Sequence, residues 1–164
     1  MADEIIVSYD EYHDLVLEEL ARKIEAAGKK PDQIITALRG GSFAGIVLSY
    51  YWGIPFATIA VQSRDENGDQ VAEEDVFISE HIVNTAPEYG RHPLLIDDLT
   101  DSGLTLRLTG QKVREKLEGQ IDDLIIATIF AKTCSDFTPD FIAKKVEACP
   151  DGKYPWIRQP WERK

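Results

Sequence analysis

The segment Leu94-Leu95-Ile96-Asp97-Asp98-Leu99-Thr100-Asp101-Ser102-Gly103-Leu104-Thr105 sets three apolar residues ahead of two adjacent carboxylates and a short polar turn. The apolar run reads as a buried strand ending in Asp97-Asp98, and the periodicity after the turn predicts a helix over Thr105–Leu117. A turn rich in Asp, Ser, Gly and Thr at a helix N-terminus offers backbone N–H groups and hydroxyls to a phosphate. The paired carboxylates beside it suit the hydroxyls of a sugar and the approach of a hard cation. Cradle and clamp together match the span of a ribose 5-phosphate. An Asp-Ser-Gly turn alone is also an ordinary helix cap. What carries information is the order: apolar strand, two acids, two residues, then Asp-Ser-Gly-x-Thr.

Outward from this segment the chain alternates strands and helices. Ile5-Ile6-Val7 reads as a strand, followed by a helix capped by Asp10 and buried along Tyr12, Leu15, Val16, Leu20, Ile24 and Ala27, with Gly28 as its stop. Ile34–Leu38 reads as a strand running into Arg39-Gly40-Gly41, with a helix from Phe43 to about Tyr51 and a strand over Phe56–Val61. Residues 62–90 are acidic and weakly periodic, with at most a hairpin of Val76-Phe77-Ile78 and Ile82-Val83. A stretch of that length is usually a lid or a binding loop. A strand is expected over Asp123–Ala131. Residues 141–148 fit strand and helix alike, and the last fifteen residues are Pro-rich and hold Trp156 and Trp161. Strands alternating with helices imply one α/β domain over residues 1–164, with a mainly parallel twisted sheet flanked by helices. Ligands of such sheets bind beyond the carboxyl ends of the strands.

Composition narrows the partners. Twenty-nine acidic against eighteen basic residues give a formal charge of −11, which argues against nucleic acid, since phosphate-backbone affinity needs clustered Lys and Arg. No apolar run approaches the roughly 20 residues that span a bilayer, and Met1-Ala2-Asp3-Glu4 lacks the features of a signal peptide, so cytoplasmic residence is expected. Cys134 and Cys149 lack metal-site spacing and are expected to be reduced, packed thiols. His13, His81 and His92 are scattered and read as surface or structural residues.

The Asp97–Thr105 segment resembles the sugar-diphosphate motif of the type I phosphoribosyltransferases. Leu38-Arg39-Gly40-Gly41 resembles their pyrophosphate loop, which often holds a non-proline cis peptide. Phe130-Ala131-Lys132 with Trp156-Ile157-Arg158-Gln159-Pro160-Trp161-Glu162 is similar to the bacterial xanthine-guanine members. The resemblance implies the type I phosphoribosyltransferase fold, with a flexible lid over 62–90 and a base-binding C-terminal hood over 132–164. It also implies transfer of a phosphoribosyl group from 5-phosphoribosyl 1-diphosphate (PRPP) to a 6-oxopurine, releasing pyrophosphate, with magnesium (Mg2+) as cofactor and a dimer or tetramer as the assembly.

Carried over by residue, the resemblance gives the ribose hydroxyls and magnesium to Asp97 and Asp98. It gives the 5′-phosphate to Thr100, Asp101, Ser102, Gly103, Leu104 and Thr105, and the pyrophosphate to Arg39 and Gly40. Lys132 would donate to the exocyclic oxygen of the base, where adenine would present a donor to a donor. Trp156 would stack on the base, Ile157 and Glu162 would lie near its 2-position, and Asp101 would take a purine proton. Where related lids carry Ser-Tyr this chain reads Ser63-Arg64, which makes Arg64 a candidate pyrophosphate ligand. Two rivals remain: a non-catalytic PRPP sensor of the same fold, and a transferase for another nucleobase. A P-loop kinase is disfavoured because G-x-x-x-x-G-K-[ST] does not occur.

Overall fold

The computed structural model describes residues 4–162, so the readings of Met1-Ala2-Asp3 and of the last two residues of the expected hood lie outside it. The first helix is capped by Ser8, not Asp10. Ser8 Oγ accepts the Glu11 N–H at 3.2 Å while the Glu11 carboxylate accepts the Ser8 N–H at 2.8 Å. This capping box satisfies two donors at once, which Asp10, already inside the helix, cannot do. The helix runs as α1 (Tyr9–Asp14), widens to π geometry over Leu15–Ala21 and resumes as α2 (Arg22–Ala26). The widening has a packing reason. Residues spaced by four drift about 40° per step on an ordinary α-helix, and a wider turn holds Tyr12, Val16, Leu20 and Ile24 in one fully buried line.

A six-stranded sheet has the order β4-β3-β2-β5-β6-β7, from β2 (Gln33–Leu38), β3 (Phe56–Gln62), β4 (Phe77–Asn84), β5 (Pro93–Thr100), β6 (Ile125–Lys132) and β7 (Phe141–Val146). Every pairing is parallel except β3 with β4. Helices cover both faces. The α1–α2 unit and α3 (Ser42–Trp52) bury Ile34, Leu94, Ile96 and Ala127, while α4 (Leu104–Lys116) buries Ile35, Leu95 and Ile126. Each fully buried Ile or Leu contributes roughly 1.5–3 kcal/mol, and alternate residues of one strand feed the two layers.

Several expectations are corrected. β5 carries Asp97 and Asp98 inside the strand, since backbone pairing with β6 continues to Thr100. Lys132 is the last residue of β6 rather than the first after it. Residues 141–148 resolve as strand over Phe141–Val146, because a free parallel edge of β6 is there to be paired. The hairpin expected within 62–90 is instead the single edge strand β4, whose Ile78 and Ile82 pack beneath the sheet. This stretch is tied to α4: Arg107 Nη2 bonds Glu73 Oε2 at 2.8 Å, and both Lys112 and Lys116 pair with Glu80. Cys134 is exposed rather than packed, and Cys149 is half-buried. The three histidines are on the surface, as expected.

A further pairing was not legible locally. β1 (Glu4–Ile6) aligns parallel with β8 (Trp156–Arg158), and Glu4 bonds Arg158 at 3.2 Å, joining the two ends of the chain.

The central strands approach the loop after β2 so closely that Gly41 has no room for a side chain. An ideal Cβ there would overlap the Ile96 carbonyl oxygen and stand 3.1 Å from both the Ala37 oxygen and the Asp97 Cα. Gly41→Ala is therefore expected to destabilise the protein by roughly 1–3 kcal/mol, because the obstructing atoms are backbone. A denaturant midpoint equal to wild type would contradict that packing.

Candidate active site

β2 and β5 lie side by side in the centre of the sheet. β2 crosses through α3 to β3 on one side, whereas β5 crosses through α4 to β6 on the other. Their carboxyl ends thus open at the switch point, where the two following loops diverge and leave a crevice. The crevice is a cleft of about 1120 Å³, walled by Leu38–Gly40, the 62–68 stretch, Asp97–Gly103 and the Trp156–Glu162 region.

The acid pair sits at its floor. Asp97 is 8% exposed and Asp98 half-buried, and neither has an ion-pair partner among the described residues. Burial, followed by the Asp98 charge, pushes Asp97 well above the usual carboxylate range; burial likewise raises Asp98. The Asp98 N–H donates to Asp97 Oδ1 at 2.9 Å, which holds the two groups in one arrangement. A pair left this uncompensated suits a cation that arrives with a ligand. Among the described residues no cluster of three or more His, Cys, Asp or Glu stands ready to hold a metal. Two carboxylates fit Mg2+, which keeps waters and substrate phosphates as its other ligands.

Around the pair stand most of the other expected residues, but Lys132 does not line this cleft; it borders a smaller cavity of about 130 Å³ and reaches the site only through Asp101. Gly40 abuts Asp98, where an added Cβ would overlap the carboxylate, so the backbone after β2 lies against the acid. The Leu38–Arg39 peptide is cis, and Arg39 is exposed on the cleft wall with no ion pair among the described residues. Gly103 adopts φ +91°, and a Cβ there would approach Phe137 at 2.6 Å, so the turn before α4 requires glycine twice over. Thr100, Asp101, Ser102, Gly103 and Thr105 line the cleft, but Leu104 does not; its N–H bonds Ser102 Oγ at 3.3 Å as part of the turn.

Asp101 is the electrostatic hub. Lys132 Nζ stands 3.1 Å from its Oδ1 and Arg64 Nη2 stands 3.3 Å from its Oδ2, while Arg64 Nη1 donates to the Gly68 carbonyl at 2.7 Å. Arg64 is thus engaged with the turn that carries Asp101. Trp156, Ile157 and Glu162 also line the cleft, with Trp156 and Glu162 exposed and Ile157 buried.

Four neighbours of the site escaped the sequence reading. Phe43 and Trp161 stack at 5.8 Å on the cleft wall, and Tyr12 meets both edge-on. The Tyr12 hydroxyl is buried without a partner among the described residues, and burial, then Asp98 and Asp97, push its phenol up. Gln159 is buried with both amide atoms unpartnered among those residues. Tyr12 carries only the signal of a helix face, and Gln159 none beyond its place between Trp156 and Glu162.

The chain matches the phosphoribosyl transferase domain family over residues 8–163 and belongs to it. It is 28% identical over 161 residues to a xanthine-guanine phosphoribosyltransferase of Idiomarina loihiensis, covering 97% of this chain and 87% of that one. Among solved structures it resembles a purine phosphoribosyltransferase from Pyrococcus horikoshii, with a TM-score of 0.71 at 23% identity, over 99% of this chain and 95% of that one. It also resembles the xanthine-guanine-hypoxanthine enzyme of Helicobacter pylori, with a TM-score of 0.73 at 21% identity, over 97% and 93%. The α/β architecture expected from the sequence is that of these relatives. Among the described residues no helix is long and apolar enough to cross a membrane.

Proposed function

We propose that this chain transfers the phosphoribosyl group of PRPP to a 6-oxopurine, giving the nucleoside 5′-monophosphate and pyrophosphate. The observation that carries the reading is the Asp97-Asp98 pair at the switch point, buried and half-buried and without an ion-pair partner among the described residues, set between a glycine loop and a polar turn at a helix N-terminus. The names of the relatives supply the purine.

In this reading the Asp97 and Asp98 carboxylates accept the ribose hydroxyls and hold the sugar against the Gly40 backbone. The turn from Thr100 to Thr105 takes the 5′-phosphate, with Gly103 φ and the Ser102 hydroxyl setting its shape. Leu104 belongs to that turn through its backbone. Bound at Asp97 and Asp98 with the diphosphate, Mg2+ would neutralise charge on the departing pyrophosphate. Arg39, without an ion pair among the described residues, would present its guanidinium to the same leaving group, and its charge counts for more as the bond breaks. The two acids also favour the positive charge that grows on the ribose ring.

In the same reading Asp101 accepts the proton that the purine releases as N9 attacks C1, and Lys132, only 11% exposed and paired with it at 3.1 Å, donates to the 6-oxo group. Trp156 offers the face on which the base lies. Arg64 bridges the 62–68 stretch to Asp101, and in this reading that wall excludes water when substrate fills the cleft. On exposed α3 positions, Tyr50 at 85% and Tyr51 at 50%, a second copy of the chain would find apolar area for a dimer, whereas Trp52 is spent within the fold on Glu25.

The test is nucleotide formation from PRPP and Mg2+ with guanine, hypoxanthine, xanthine, adenine and uracil offered separately. Product is expected from the 6-oxopurines and at least about 10³-fold less from adenine, whose amine meets the Lys132 donor. Binding of PRPP without product from any base would favour the sensor. Turnover confined to adenine or uracil would give the site to another base.

A further inference from the structure

Residues 62–90 carry eight carboxylates and a single Lys or Arg, Arg64, and that one cation lines the cleft. Its Nη2 stands 3.3 Å from Asp101 Oδ2, and Lys132 Nζ stands 3.1 Å from Oδ1. Both oxygens of the proposed proton acceptor are thus engaged by cations, and a purine N–H must displace one or share its oxygen. The two cations are not equally fixed. Lys132 is 11% exposed, whereas Arg64 and Asp101 are each 37% exposed, and an ion pair so wetted is weak enough to exchange.

The backbone beneath Arg64 does not depend on that contact. The Val71 N–H donates to the Ser63 carbonyl at 3.0 Å and the Gln70 side-chain amide to the same oxygen at 2.7 Å. Asp65 Oδ1 accepts the Asn67 and Asp69 N–H groups, each at 2.9 Å. The other guanidinium contact, Nη1 with the Gly68 carbonyl at 2.7 Å, lies within this same loop. Arg64 can therefore leave Asp101 by rotating its own side-chain bonds while the loop keeps its shape. The charge pattern says what would draw it away. Thr100–Thr105 contains no Lys or Arg, and the next basic residue, Arg107, is paired with Glu73 at 2.8 Å. A phosphoryl group bound beside Asp101 and an acidic wall needs a cation within reach. Its oxygens suit the planar guanidinium fork and carry more charge than one carboxylate.

We propose that Arg64 is an exchange latch, an inference that rests on the transferase reading above. Before substrate binds it rests on Asp101 and masks it; a phosphoryl group of PRPP then takes the guanidinium and frees Asp101 Oδ2 for the purine N–H. Lys132 keeps Oδ1 throughout. Arg64 thus couples occupancy of the sugar-phosphate site to exposure of the proton acceptor. The 5′-phosphate and the diphosphate share the chemistry that would draw it, and separate probes distinguish them.

The experiment measures binding to the full chain with Mg2+, for wild type and Arg64→Met, of ribose 5-phosphate, of inorganic pyrophosphate and, without PRPP, of hypoxanthine. Exchange gives effects of opposite sign. Arg64→Met is expected to weaken at least one phosphoryl probe by about tenfold, through loss of a charge-assisted contact. It is expected to tighten hypoxanthine by about threefold to tenfold, because Asp101 Oδ2 is unmasked. Loss confined to ribose 5-phosphate names the 5′-phosphate as the partner, and loss confined to pyrophosphate names the diphosphate. Hypoxanthine binding that weakens or stays unchanged overturns the proposal, leaving Arg64 a support of the wall or a plain ligand. Unchanged binding of both phosphoryl probes overturns it as well. A wild-type chain that binds neither PRPP nor these probes overturns the transferase reading too, so the wild-type control tells the two failures apart.

Discussion

Asp98→Asn is expected to lower kcat/KM by about 10²-fold or more while raising the thermal stability of the ligand-free protein at neutral pH. The two effects have one cause. Burial raises the pKa of Asp98 and, with the Asp98 charge, that of Asp97, so the ionised pair opposes folding until a ligand arrives. An acid with a raised folded pKa leaves stability intact below its unfolded value, about 3.9 for aspartate, and that stability is lost as pH climbs through the folded value. Wild type should therefore weaken from about pH 4 upward relative to the variant. Removing one charge should open a Tm advantage at pH 7 that closes as the pH is brought back toward 4. Unfolding curves at several pH values, read beside turnover, check both halves. A variant with lower Tm and full activity would show that the acids stabilise the fold and do not serve the site.

For Asp101→Ala the expectation is a fall in kcat of about 10²-fold, the usual contribution of a positioned proton acceptor. Asp101 is held by Lys132 at 3.1 Å and Arg64 at 3.3 Å, so its removal also frees two cations. Asp101→Asn separates the two contributions, since the amide oxygen still accepts from one of them but takes no proton. Equal losses in both variants would assign Asp101 to proton transfer. Recovery of most of the activity in the asparagine variant would make it an anchor for Lys132 and Arg64, and undiminished turnover in the alanine variant would remove it from the mechanism.

The strand β5, its acids and the turn before α4 were legible because each depends on neighbours a few residues away. An apolar run must be buried, and a glycine followed by a helical period needs no distant contact to be read. The alternation of strands and helices likewise implied a parallel sheet with both faces covered, and the deepest residues fall in that pattern. Local reasoning failed where the deciding partner was remote. Nothing near Phe77–Asn84 says that it pairs antiparallel with β3, and nothing near Trp156–Arg158 says that it pairs with the N-terminal strand. The extension of β5 to Thr100 needed β6 alongside it, and the strand at Phe141 needed the edge of β6.

The amino-acid order by itself settled the fold class and the presence of an acid pair followed by a polar Asp-Ser-Gly turn, since burial and chain geometry act locally there. Tertiary structure alone decided that Arg64 and Lys132 meet on Asp101, that Tyr12 stands behind Phe43 and Trp161, and that the Gln159 amide is left unpaired. These are matters of electrostatics and desolvation between side chains far apart in the chain, and such energies exist only once the sheet has brought the groups together.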